Sequence, residues 1–330
     1  MRYPPLLQTY FDCGYGREPD RDLVRDRWLQ SRLQPPTGTV DAVVDTDAYN
    51  EIDDQYALAW LLCAPDRVRI QAITAAPFHN IKAESPAQGM QRSYREILHV
   101  LELLGCPQRK KDVYLGAESF LPDEKTPVLS PGAQKIIDLA ERRLPEDPLY
   151  VVAIGAITNV ASALLCRPAI RDNIVVLWLG GHSRHWPNTR EFNLVQDIAA
   201  ARAVFASKVP LVQFPCAGVC EQLAVTGPEL EAALRGQNAF CNYLCDLTAK
   251  EAALYCQGPQ WNRIIWDIAP VSWLMGKDMV DTQILPAWPP SYSGYYEVRP
   301  AGHSMACAYA VHREKIFSDL FARLSGRRLP

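Results

Sequence analysis

The chain has 330 residues, 48% of them apolar and 22% charged, with a formal net charge of −3. Such a balance suits a soluble globular enzyme with a sizeable core, and its weak charge speaks against binding nucleic acid or a membrane surface. No apolar run approaches the ~20 residues a membrane helix needs, and the start, Met-Arg-Tyr-Pro-Pro-Leu-Leu, lacks the apolar stretch of a secretion signal. The expected address is therefore cytoplasmic.

Residues 1–39 read as an N-terminal extension with a short helix near Asp22–Leu33, closed by Gln34-Pro-Pro-Thr-Gly38. Residues 40–330 read as one domain. Asp41-Ala-Val-Val44 ends a buried strand, and Ala57, Leu58, Trp60, Leu61 and Leu62 recur at helical spacing. Further strands are predicted at 68–74, 113–115, 149–154, 173–179 and 209–214, between helices at 90–104, 133–143, 158–165 and 198–206. Continuous apolar strands separated by helices indicate an α/β fold, a mostly parallel, open Rossmann-like sheet covered on both faces. In the tail, 283–286 and 295–298 read as short paired strands before a closing helix at 316–324. The ten cysteines are scattered, mostly in apolar surroundings, as buried reduced thiols are. Cys216 and Cys220, and Cys241 and Cys245, are spaced more loosely than zinc ligands usually are. Inert thiols are expected.

The densest chemistry lies between the first strand and helix, where Asp45, Asp47, Glu51, Asp53 and Asp54 crowd together. Open α/β sheets bind ligands at the carboxyl ends of their strands. Like charges gathered there need compensation, and a hard divalent cation with oxygen ligands provides it. Helix capping would explain one or two of the acids. Three later segments also put polar residues after apolar runs: Val151-Val-Ala-Ile-Gly155-Ala-Ile-Thr158-Asn159, then Leu177-Trp-Leu-Gly-Gly181 with Glu191-Phe-Asn193, and Arg263-Ile-Ile-Trp266-Asp267-Ile-Ala-Pro270. A fourth, Ala72-Ile-Thr74-Ala-Ala-Pro-Phe-His79-Asn80, is less regular. Neither the Gly-x-x-x-x-Gly-Lys loop nor the His-Glu-x-x-His zinc motif is present.

In this order the segments resemble the nucleoside hydrolases, the inosine–uridine-preferring family, whose signature is a strand ending Asp-x-Asp followed by Asp-Asp and an apolar helix. Two departures stand out. The loop Ala48–Ile52 is two residues longer than the family's Pro-Gly-x, and Trp266 stands where many relatives carry a histidine before the last acid. The resemblance implies a nucleoside hydrolase-like fold and calcium-dependent hydrolysis of the N-glycosidic bond, with a nucleoside as small-molecule partner.

Residue by residue, the resemblance assigns Asp47, Asp54, Asp267 and the Thr158 carbonyl to Ca²⁺, and Asp53 to the general base. Asp45 becomes a structural hydrogen-bonding residue, and Glu51 has no counterpart. Glu191 and Asn193 would grip the ribose, Asn80 would touch it with His79 close behind, and Trp266 would stack on the base, favouring purines. Without a histidine beside Asp267, the leaving-group acid would be His79, His182 or His185, or stacking on Trp266 would let solvent protonate the base. Hydrolysis of another N-riboside or a modified nucleoside, and a non-catalytic metal- or ligand-binding relative, are the alternatives. A homo-oligomer, dimer or tetramer, stays open.

Overall fold

The computed structural model describes residues 23–256, 260–299 and 302–326. Its strands in chain order are β1 (Val40–Thr46), β2 (Val68–Ala75), β3 (Val113–Tyr114), β4 (Leu149–Ala153), β5 (Ile174–Leu179), β6 (Leu211–Phe214), β7 (Ala224–Thr226), β8 (Asn262–Ile264), β9 (Val280–Pro286) and β10 (Ser304–Val311). Eight of them form one sheet in the spatial order β3-β2-β1-β4-β5-β6-β10-β9, while β7 and β8 pair apart from it. Neighbours in the main sheet are parallel except β9, which runs antiparallel to β10.

The strands are apolar throughout because both of their faces are covered. Along β5, Val175, Leu177 and Leu179 enter one core, and Ile174, Val176 and Trp178 enter the other. The first core receives the helices Asp53–Leu62, Pro86–Leu103, Ile268–Met275 and Arg313–Leu324; the second receives Pro131–Ala140, Thr158–Cys166 and Ile198–Ala206. Alternation along each strand sends successive side chains to opposite faces. Mostly parallel strands between helices form a single α/β domain, as the sequence predicts. No described helix is long and apolar enough to cross a membrane.

Within the stretch expected as an extension, the helix Leu23–Arg32 packs on β10. Leu29 and Leu33 are fully buried there, and Asp26 accepts from the Ser304 backbone N–H at 2.9 Å. The tail departs from its sequence reading. Residues 295–298 form no strand; Tyr296 makes only an isolated bridge to Pro290. The partner of β9 is instead β10, whose Ser-Met-Ala-Cys-Ala-Tyr-Ala-Val sequence is alanine-rich and weak in strand propensity. Its place between β6 and β9 makes it a strand.

The chain leaves β1 toward β2 and β3, then returns to place β4 on the other side of β1. Between β1 and β4 the strand order therefore reverses, and such a switch point opens a crevice beyond the strand ends.

Candidate active site

Three loop-to-helix turns deliver carboxylates to that crevice. After β1 the chain turns through residues 47–52 into the helix Asp53–Leu62, so Asp53 and Asp54 occupy its first turn with no side-chain cap before them. Asp267 stands at the N-cap position of the helix Ile268–Met275 without a side-chain cap bond, and the Glu191 side chain caps Phe192–Gln196. Helix N-termini carry partial positive charge and unpaired N–H groups, which favour carboxylates there. Glu191 uses them directly: it accepts from the backbone of Asn193 at 2.8 Å, Leu194 at 3.0 Å and Gly181 at 2.8 Å.

These residues line a cavity of about 250 Å³ together with Asp47, Asn50, Glu51, Ile154, His182, Asn193, Cys216 and Trp266. One carboxylate oxygen from each of Asp53, Asp54 and Asp267 falls within 4.8 Å of the others. Asp47 stands beside them, its Oδ1 only 2.8 Å from where a Cβ at Gly155 would lie, so a side chain at 155 would displace the Asp47 carboxylate. All four aspartates are buried.

Burial, and then mutual repulsion, pushes the carboxyls of Asp47 and Asp267 well above the usual range. Asp53 shifts the same way through burial and the charges of Glu51 and Asp54, while Arg263 opposes the shift. Burial raises Asp54 to about 7 although Thr46 and Asp267 hydrogen-bond it. Two ionised carboxylates stay as close as Asp54 and Asp267 only when a proton or a cation lies between them. Arg263, the cation that opposes the shift of Asp53, is itself paired with Glu51. Oδ2 of Asp47 is buried without a hydrogen-bond partner. Uncompensated buried charge is costly, so the all-oxygen donor set suits a hard divalent ion.

Asp45 is fully buried outside the cavity lining, with its Oδ2 also lacking a hydrogen-bond partner and its Oδ1 bonded. It accepts from Thr74 at 2.5 Å and Asn159 at 2.8 Å, and burial raises its carboxyl to about 6. Asn193 donates through Nδ2 to the carbonyls of Leu179 at 3.1 Å and Ile154 at 3.3 Å. Its amide is thereby fixed with Oδ1 left to accept from a ligand. Trp266 is half-buried on the cavity wall, and its backbone N–H donates to Asp53 Oδ2 at 3.1 Å.

Four expected residues lie outside the lining. Thr158 is fully buried at the start of its helix, where its carbonyl is committed to the helical ladder and its hydroxyl donates to Asp197 at 2.7 Å. The strand-end residue that reaches the cavity is Ile154. Asn80 donates instead to Asn50 Oδ1 at 2.7 Å, so it supports a residue in the lengthened loop, and that residue lines the cavity. His79 is exposed and engaged through its backbone with Gln196. His185 is exposed beside Ser183, whereas His182 lines the cavity, its ring accepting from Ala217 N–H at 3.2 Å. Asn50 and His182 follow no periodicity that would set them apart from their loop neighbours. The nine described cysteines are all free, and no cluster of them with other ligating side chains forms a zinc site among the described residues.

An open α/β sheet with carboxylates converging at its switch point defines the class, an α/β protein whose pocket is able to hold a cation. The sequence model of the inosine-uridine preferring nucleoside hydrolases matches residues 42–312, and the chain belongs to that family of N-ribosyl hydrolases. The chain is 27% identical over 257 residues, 72% of its length and 79% of the relative's, to a non-specific ribonucleoside hydrolase, RihC, of Shigella flexneri serotype 5b. Two solved structures share the fold. A plant nucleoside hydrolase, PpNRh1, superposes with TM-score 0.68 at 19% identity, covering 87% of this chain and 99% of the other. A purine-preferring ribonucleoside hydrolase from Gardnerella vaginalis superposes with TM-score 0.62 at 21% identity, covering 87% and 98%.

Proposed function

We propose that the enzyme hydrolyses purine ribonucleosides with Ca²⁺ as its resident ion, held by Asp47, Asp54, Asp267 and the carbonyl of Ile154. The observation that carries this reading is the convergence of four buried carboxylates with Asn193, Glu191 and Trp266 on one cavity. When bound, the ion supplies compensation for the carboxylates, a more acidic water and an anchor for ribose hydroxyls.

The chain's own groups do the rest. Asp53 takes the proton of the attacking water; the Trp266 N–H fixes one of its oxygens, which leaves the other to accept. Asp47 is better suited to the ion, because its orphaned Oδ2 has no protein donor. Asn193 Oδ1 and Glu191 accept from ribose hydroxyls, holding the sugar as it gains oxocarbenium character. Asn50, oriented by Asn80, adds a donor from the lengthened loop. Trp266 offers its face to the base. Of the candidate histidines, His182 is the one in the cavity lining and would meet the leaving group; burial lowers its pKa.

The test is a panel of purine and pyrimidine ribonucleosides, incubated with calcium and with chelator, following free ribose. Purines released faster than uridine, and only with calcium, is the expected result. Release insensitive to chelator would remove the ion, and a uridine preference would remove the base assignment.

A further inference from the structure

The loop from Gly181 to Glu191 has a second face. Across it from the catalytic cavity lies another of about 190 Å³, walled by Trp186, Trp288, Tyr295 and Tyr296, with Arg184 and Thr189 in its lining. Arg184 stacks on Trp288, its Cζ 4.4 Å from the ring centroid, and lies 5.8 Å from that of Tyr296. One of its terminal nitrogens donates to the Pro286 carbonyl. No carboxylate pairs with it among the described residues, and burial works against its charge. Its Nε is buried without a hydrogen-bond partner, and so is Oγ1 of Thr189, a residue 1% exposed.

Buried cations are normally paired and buried polar atoms normally bonded. A guanidinium in the lining with no carboxylate among the described residues points to an absent anionic acceptor. A guanidinium is planar and matches oxyanions. The rim has the opposite character, since Trp186 is 40% exposed and Tyr295 59% exposed. Flat aromatic groups pack on such surfaces.

We propose that this cavity binds a small ligand joining an oxyanion, phosphate or carboxylate, to a flat aromatic ring. Arg184 meets the oxyanion, and Trp186 and Tyr295 hold the ring. The site adjoins the catalytic cavity across the loop and shares no lining residue with it: Tyr296 O–H donates to the His182 carbonyl at 2.9 Å, and the rings of His182 and Trp186 lie 5.9 Å apart.

Titration calorimetry of the full chain tests this with phenyl phosphate and benzoate, against inorganic phosphate and phenol. One aromatic anion should saturate at one site per chain, and which of the two does so names the oxyanion. It should bind about tenfold tighter than either fragment, the scale of ~1.4 kcal/mol. Arg184→Met should weaken it at least about tenfold, as loss of a charged hydrogen-bonding partner does. Tyr295→Ala, at an exposed position, should weaken it severalfold and carries the test alone if Arg184→Met does not fold. No saturation with either anion, or affinity unchanged by Tyr295→Ala, overturns the proposal. Binding abolished by Asn193→Ala but untouched by Arg184→Met puts the probe in the catalytic cavity and overturns it too.

Discussion

Replacing Trp266 with alanine isolates its side chain, because the backbone N–H that holds Asp53 survives the change. Trp266 is half-buried, packs against the core and lines the cavity. If the wall-facing part stacks on the leaving base, its loss removes ~1–3 kcal/mol of base–aromatic stacking. At about 1.4 kcal/mol per tenfold, kcat/KM for inosine should fall roughly ten- to a hundredfold. A pyrimidine presents less ring surface, so uridine should lose several times less. Core packing would be damaged equally for both substrates, which is why the ratio is the diagnostic. The assay is steady-state release of ribose from inosine and uridine by parent, Trp266→Ala and Trp266→Phe, with melting curves to confirm folding. Phenylalanine should recover much of the inosine activity. Equal losses on inosine and uridine would refute the stacking argument and leave Trp266 as a packing residue.

Asp53→Asn should abolish ribose release while calcium still binds by calorimetry, since the amide keeps its shape but accepts no proton; activity within tenfold of the parent would exclude the base role. Asp47→Asn should shift melting in opposite directions: upward in chelator, where it relieves buried repulsion, and downward in calcium, where a ligand is lost. A shift of one sign in both conditions would contradict Asp47 as a ligand. In chelator, stability should fall as pH rises from about 4 to 7. Burial raises Asp45 to about 6 and Asp54 and Glu191 to about 7, so over that range the folded state holds more protons than the unfolded state, and raising pH favours unfolding. Denaturant melts across pH check this, and a stability that rises over that range would contradict the burial argument. Asn50→Ala should lower kcat/KM for nucleosides more than Asn80→Ala, because Asn50 lines the cavity and Asn80 only orients it; the reverse order would return the contact to Asn80.

The alternation of apolar strands and helices was legible along the chain because a buried parallel sheet demands continuous apolar strands. The acids were legible too: Asp47, Asp53, Asp54 and Asp267 follow apolar segments at turns into helices, and in the structure they line one cavity. Glu191, Asn193 and Trp266 also reach it. Local pattern failed wherever a neighbour distant in sequence decides. Nothing in Ser304–Val311 marks a strand, since it becomes one by lying between β6 and β9. Thr158 and Ile154 sit four residues apart in one motif, and of the two only Ile154 lines the cavity, because Thr158 already lies inside the following helix. His182 and His185 share a loop, as Asn50 and Asn80 share a hydrogen bond, and loops have no period from which to read direction. Sequence determined which chemical groups stand at the strand ends; tertiary packing decided which of them face the cavity, because orientation in a loop is set by what it packs against.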